Sequence, residues 1–204
     1  MLTSFLLAQW HSFDFGLAHF ISISTETDFA GAPEGPGTYL NAGPFGNQVQ
    51  WLVEDLKKAV ANRKNVPWII VGGHRPVYTA GKAEIAVQSL LEPLFLQYEV
   101  DYYYCGHVHW YERLYPTIRG NVTQKDYNNP QSPVYIVNGA AGNVEGFAKA
   151  PATIPAFTAV LNRKNFGFGR LTVESATQAT WTYYRADDKM GVEDTVILTK
   201  TRTL

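Results

Sequence analysis

Residues 100–113 read Val-Asp-Tyr-Tyr-Tyr-Cys-Gly-His-Val-His-Trp-Tyr-Glu-Arg. The run up to Cys105 is rich in aromatic and β-branched residues, the pattern of a buried strand. Gly106 breaks it, and His107 and His109 follow at i and i+2. Residues two apart at a strand end project to the same side. With a loop between them, both imidazoles can converge on one centre or on two adjacent ones. Neutral imidazole is a favoured ligand for zinc, iron and manganese. A lone His-x-His carries little weight. One that closes a hydrophobic strand carries more, because α/β proteins place ligands beyond the carboxyl ends of their strands.

Residues 67–74, Pro-Trp-Ile-Ile-Val-Gly-Gly-His, repeat the arrangement: an apolar run, then glycines, then a histidine. Two successive strands that each deliver a histidine after glycine predict a metal site. The glycines are expected to let backbone approach a metal or anion closely.

The segments Val71-Gly72-Gly73-His74 and Gly106-His107-Val108-His109 resemble the Val-x-x-His and Gly-His-x-His motifs of the purple acid phosphatases, within the calcineurin-like metallophosphoesterases. The extensions His74-Arg75-Pro76 and Trp110-Tyr111-Glu112-Arg113 agree. The hairpin Trp10-His11-Ser12-Phe13-Asp14-Phe15-Gly16 with His19-Phe20-Ile21-Ser22-Ile23 resembles the one that precedes these motifs, and residues 137–143 resemble the segment that follows. The upstream motifs of that family, Asp-x-Gly, Gly-Asp-x-x-Tyr and Gly-Asn-His-Glu/Asp, have no counterpart in order. Asp14-Phe15-Gly16 fits the first only as a string, since it lies in the later hairpin. The resemblance therefore covers residues 10–204 as the C-terminal half of such a domain, with residues 1–9 as an atypical N-terminal segment. It implies an α/β fold: half of a four-layer αββα sandwich of mixed β-sheets flanked by helices.

For function, the resemblance implies an acid phosphatase that hydrolyses phosphate monoesters at a dinuclear metal centre, iron with zinc, manganese or iron. His74 and His107 map onto the ligands of the divalent metal and His109 onto a ligand of the ferric iron. Two aspartates, a tyrosinate and an asparagine of that ligand set are missing. The His-His pair that some relatives carry after His-Arg-Pro is absent from residues 78–85. The alternatives are a truncated, catalytically inactive metal-binding or interaction fragment, and an unstable fragment with an exposed sheet edge. The implied partner is a small-molecule phosphate ester. The implied compartment is secreted or extracellular, although residues 1–9 lack the charged start and long apolar core of a signal peptide.

The remaining sequence fits one aromatic-rich α/β unit of 204 residues, with 14% Phe, Trp and Tyr. A net charge of −1 gives no electrostatic reason to expect nucleic acid or an acidic membrane as partner. No stretch reaches the roughly 20 apolar residues of a membrane span. The single cysteine, Cys105, excludes an internal disulfide and reads as a small core residue. Strands are expected at 11–15 and 17–24, with His19 on an apolar face as a hydrogen-bonded core histidine and His11 equally bland. A Gly/Pro-rich loop over 27–44 follows, then a helix over 47–62 with Val49, Leu52, Val53, Leu56 and Val60 on one stripe. A strand at 68–73 and a helix at 84–99 come next, the latter kinked or broken at Pro93. Strand, helix, strand is the βαβ pattern. Glu112 and Arg113 read either as groups that orient the histidines or as a surface ion pair. A strand is expected at 134–137, a loop at 143–155, and an antiparallel finishing layer at 168–173, 179–184 and 192–198. Asn121-Val122-Thr123 is a glycosylation sequon.

Overall fold

The computed structural model describes residues 9–34, 45–187 and 189–201. The expectations for residues 1–8 and 35–44 lie outside the described residues. In chain order the elements are β1 (His11–Phe15), β2 (Ala18–Ser22), α1 (Gln48–Ala61), β3 (Trp68–Gly72), α2 (Ile85–Gln97), β4 (Tyr102–Cys105), β5 (Tyr111–Leu114), β6 (Thr117–Ile118), β7 (Asn121–Val122), β8 (Val134–Asn138), β9 (Thr158–Asn162), β10 (Gly167–Val173), β11 (Gln178–Arg185) and β12 (Val192–Thr199). A seven-stranded mixed sheet runs β1-β2-β3-β4-β8-β5-β9, and a separate antiparallel sheet runs β10-β11-β12. The central strands β2, β3, β4 and β8 are parallel, and β3-α2-β4 is the expected βαβ unit.

Alternation along the parallel strands builds two cores. Ile69, Val71, Tyr103, Cys105, Tyr135 and Val137 face one way and pack with Leu52, Leu56, Leu91 and Phe95 of the helices. Trp68, Ile70, Tyr102, Val134 and Ile136 face the other way and pack with Ala179, Trp181, Tyr183, Val196 and Leu198 of the second sheet. Strands buried on both faces need such continuous apolar runs. The described residues thus form one helical layer and two sheet layers of the expected sandwich.

Ionic ties join the two sheets. Arg113 donates to Asp194 through Nε (2.6 Å) and Nη2 (2.8 Å), and Tyr111 donates to the same carboxylate at 2.6 Å. Asp101 accepts from Lys200 (2.8 Å), Arg63 (3.3 Å) and the Ile69 backbone (2.8 Å). Arg113 is therefore neither partner to Glu112 nor a surface residue. Adjacent strand residues point to opposite faces, so the two neighbours serve different cores.

Glu112 is fully buried. Its carboxylate accepts from the Thr79 hydroxyl (2.7 Å), the Ala80 backbone (3.0 Å), the Trp110 indole (3.0 Å) and the Thr158 hydroxyl (2.7 Å). It ties the loop after β3, the residue beyond His109 and the edge strand β9 to one point. Neither sequence-level reading of Glu112 holds as stated: it is not at the surface, and it binds no histidine.

Two further differences from the sequence reading have simple causes. The helix α2 is not broken at Pro93, because Pro93 and Ser89, whose carbonyl loses its donor, both lie on the exposed side. There, water satisfies the freed group. Strands β5 and β9 were not anticipated: β5 turns back into the main sheet between β8 and β9.

His19 is hydrogen-bonded as expected, but it is partly buried at the hairpin and lies in neither core. Its Nε2 meets Asp55 of α1 at 3.0 Å and its Nδ1 meets Asp14 of β1 at 2.6 Å, so the string Asp14-Phe15-Gly16 serves the hairpin. The hydrogen bond to Asp55 raises the imidazole pKa above its ordinary 6.5, helped by Asp14 and opposed by burial. The charged form is favoured in the folded state, so its stabilisation is complete below pH 6.5 and is lost as pH rises through the raised value. Urea unfolding from pH 6 to 9 should therefore show stability falling on the alkaline side, and His19→Gln should flatten that slope. Glu112→Ala leaves four donors without an acceptor and should lower the unfolding free energy by about 3 kcal/mol or more. Glu112→Gln should cost about 1–2 kcal/mol, since one oxygen still accepts.

Candidate metal centre

His74 and His107 each stand two residues beyond neighbouring parallel strands, β3 and β4, with Gly72 in register with Tyr104. The two turns are locked together by backbone bonds. Gly106 N–H donates to the His74 carbonyl at 3.0 Å, and Gly73 N–H donates to the Tyr104 carbonyl at 3.2 Å. Thr25 Oγ1 accepts from the backbone of His74 (3.2 Å) and Arg75 (2.8 Å), and the Tyr103 hydroxyl donates to the Arg75 carbonyl at 2.6 Å. The imidazoles meet edge to face, with ring centroids 4.9 Å apart, and His74 Nε2 lies 3.1 Å from His107 Nδ1. His107 takes a φ of 59°, in the left-handed region that non-glycine residues rarely occupy. Such strain persists only where the surroundings fix it.

The glycines before His74 have a packing reason that the sequence did not show. A Cβ on Gly72 would lie 2.5 Å from Cζ of Tyr104, and one on Gly73 would lie 2.7 Å from the Tyr103 hydroxyl. They make room for the tyrosine rings of β4.

His109 is placed differently. Its Nδ1 lies 3.5 Å from Glu145, a contact that is largely open to water. The structure thus brings His74 and His107 together and pairs His109 with Glu145. His11 is exposed on the edge strand and His19 belongs to the hairpin clamp. Cys105 is a buried thiol whose pKa is pushed up by burial, which suits a core residue.

Arg75 entered the sequence reading only as part of the His74-Arg75-Pro76 extension, with no role of its own. Its Nε bonds both oxygens of Glu26 (3.0 and 2.8 Å), its Nη2 lies 3.8 Å from Glu34, and its Nη1 lies 3.6 Å from Glu84. The same Nη1 reaches His107 Nε2 at 3.1 Å. Positions 26, 34 and 84 are scattered in sequence, so no local motif announces this cluster. Burial, with the Arg75 cation and His74 adding to it, lowers the pKa of His107, which favours the neutral form that a metal ligand takes. With three carboxylates around it, Arg75 is not free to bind a phosphate.

A cavity of about 490 Å³ opens between the two sheets beside Gly73 and Gly106, lined by Phe20, Tyr104, Phe168, Leu171 and Trp181 among others. Its walls are mostly apolar and offer no cation for an anionic ester.

Residues 9–111, half of the chain, match the family model of the calcineurin-like phosphoesterases, and residues 132–195 match that of the iron/zinc purple acid phosphatase-like protein C. The chain is 37% identical over 221 aligned positions to an acid phosphatase of Aspergillus ficuum, covering 88% of this chain and 36% of that protein. It is 35% identical over 188 positions to the human acid phosphatase type 7, covering 82% of this chain and 41% of that protein. It spans roughly a third to two fifths of the length of the curated relatives it matches. A purple acid phosphatase from yellow lupin (Lupinus luteus) seeds superposes with a TM-score of 0.74 at 24% identity, over 94% of this chain and 32% of that one, a likeness of fold. By its matched motifs, its relatives and its fold, the chain belongs to the calcineurin-like phosphoesterases, in the purple acid phosphatase family.

Proposed function

We propose that this chain supplies the histidine side of a dinuclear metal centre that hydrolyses phosphate monoesters, as an acid phosphatase does. The observation that carries the reading is the facing pair His74 Nε2 and His107 Nδ1, 3.1 Å apart at the ends of adjacent parallel strands. Two imidazole nitrogens brought this close are ligands that zinc, manganese or iron accept. His74 and His107 would hold the divalent ion, and His109 would serve a ferric ion. Among the described residues, no group of three or more His, Cys, Asp or Glu is arranged to hold a metal. The carboxylate, tyrosinate and asparagine donors that the reading requires have no matching motif in this sequence.

When bound, such a pair of metals supplies Lewis-acid polarisation of the phosphoryl oxygen and activation of water. The chain's own part is to hold two neutral imidazoles at fixed angles, through Thr25, Tyr103 and the backbone bonds between the two turns. The substrate is a small phosphate ester, and the secreted compartment belongs to the same reading. Asn121 of the sequon is exposed, as a glycan acceptor must be. Among the described residues, no helix is long and apolar enough to cross a membrane.

The test is metal content together with hydrolysis. The natural protein, isolated with whatever polypeptide accompanies these residues, should carry two metals and hydrolyse an aryl phosphate at acid pH. One metal or none, with no hydrolysis, would overturn the reading in favour of a metal-binding or interaction fragment. In the 204-residue chain, His74→Ala and His107→Ala should each weaken Zn²⁺ binding roughly a hundredfold by calorimetry, while His11→Ala should leave it unchanged.

A further inference from the structure

Among the described residues, β1 is the outer strand of the seven-stranded sheet and pairs with β2 alone. The neighbouring ladder shows which of its backbone groups are spent. The Leu17 carbonyl accepts from Trp68 N–H at 3.1 Å, and Ile23 N–H donates to the Gly72 carbonyl at 2.9 Å. Around β2, odd-numbered residues therefore bond toward β3. The even-numbered ones, Ala18, Phe20 and Ser22, bond toward β1, opposite Phe15, Phe13 and His11. Hydrogen-bonded and non-hydrogen-bonded positions alternate along an antiparallel pair. The N–H and C=O groups of Ser12 and Asp14 thus point outward, away from β2.

The side chains of β1 also alternate. Ser12 donates to Asp55 of α1 at 2.8 Å and Asp14 is held by His19, so both lie on the helix side. His11, Phe13 and Phe15 lie on the other face. There His11 stacks on Phe13 with centroids 6.4 Å apart, and Phe13 on Phe20 at 5.4 Å. Phe13 is 53% exposed and Phe15 76%. A bare apolar edge is a template for another strand, and proteins guard such edges with lysine, proline or a bulge. The far edge, β9, has guards of this kind: Pro155 before it, Arg163 and Lys164 after it, and a register shift against β5. β1 has neither lysine nor proline, and its register with β2 is unbroken.

The edge is complementary to itself. Ser12 and Asp14 need a partner strand with outward groups at the same two-residue spacing, and a second β1, antiparallel and centred on Phe13, has them. Ser12 then stands opposite Asp14 of the second copy, and Asp14 opposite its Ser12, each pair exchanging both backbone bonds. Phe13 meets its own counterpart at a non-hydrogen-bonded position, where side chains come closest. His11 meets Phe15 on either side, so aromatic rings face one another along the strand. No like charges stand opposite. We propose that β1 is a self-pairing edge: two copies of this chain associate through antiparallel β1 strands about a two-fold axis at Phe13, joining their main sheets into one. Such an interface is isologous. With five residues a side it falls short of the ~1,200 Å² of a stable complex, so the dimer forms and parts with concentration. The proposal does not depend on the metal reading.

The test is sedimentation of the 204-residue chain, without metal, from about 10 µM to about 1 mM. Its mass should rise from monomer towards dimer across that range. Phe13→Lys sets two ammonium groups face to face at the axis and should raise the dissociation constant roughly tenfold. Oxidation with copper phenanthroline then reads the register. Phe13→Cys puts the two Cα atoms about 4.5 Å apart and should give a disulfide-linked dimer. Phe15→Cys puts them about 14 Å apart, beyond the span of a disulfide, and should stay unlinked although it is the more exposed position. Cys105 is buried, so the unaltered chain sets the background. Both altered positions are exposed, so neither change disturbs a core. A chain that stays monomeric to the top of the range overturns the proposal. So does a dimer that Phe13→Lys leaves as tight, or one that Phe15→Cys links as fast as Phe13→Cys, because association then runs through another surface or register.

Discussion

A carboxylate with no access to water is costly unless donors replace its hydration, and Glu112 has four of them. Those donors come from the loop beyond His74, from the residue beyond His109 and from the edge strand β9. The site loops are thus tied to a point inside the molecule and not to each other alone. Loops carrying ligands are ordinarily the less stable part of a fold. Here one buried anion makes their position part of the core.

The same economy of polar groups recurs where the layers meet. Asp194 and Asp101 each sit between the main sheet and the three-stranded sheet, and each is matched by more than one donor. Such pairs contribute little net energy compared with apolar burial, but breaking one leaves a charge stranded. Their effect is to fix the register between two sheets whose contact is otherwise aromatic, as in the stacking of Tyr111 on Tyr183 at 3.9 Å.

Strand order was readable where burial leaves an unambiguous trace. Trp68 to Gly72 and Tyr102 to Cys105 are continuous apolar runs because both faces are covered. The helix stripe through Leu52 and Leu56 showed in the same way. By contrast, Tyr-Glu-Arg-Leu of β5 hides its strand, because one of its faces buries a carboxylate and the next an arginine. It is a strand through its pairing with β8 and β9, and its charges are matched by partners that sequence spacing does not show, some forty or eighty residues away.

What the sequence determined by itself is the family, the α/β order and the delivery of His74, His107 and His109 after strands. All of these follow from local patterns: apolar runs, glycine breaks and histidines at strand ends. What only the tertiary structure decided is which atoms face which. It set His74 Nε2 against His107 Nδ1, placed Arg75 behind His107 with Glu26, Glu34 and Glu84 around it, and turned His109 toward Glu145. It also gave Gly72 and Gly73 their reason, the tyrosine rings of β4. The physical reason is that contacts between side chains depend on strand pairing and loop path. Those are fixed by the packing of the whole sheet, and no short window of sequence contains them.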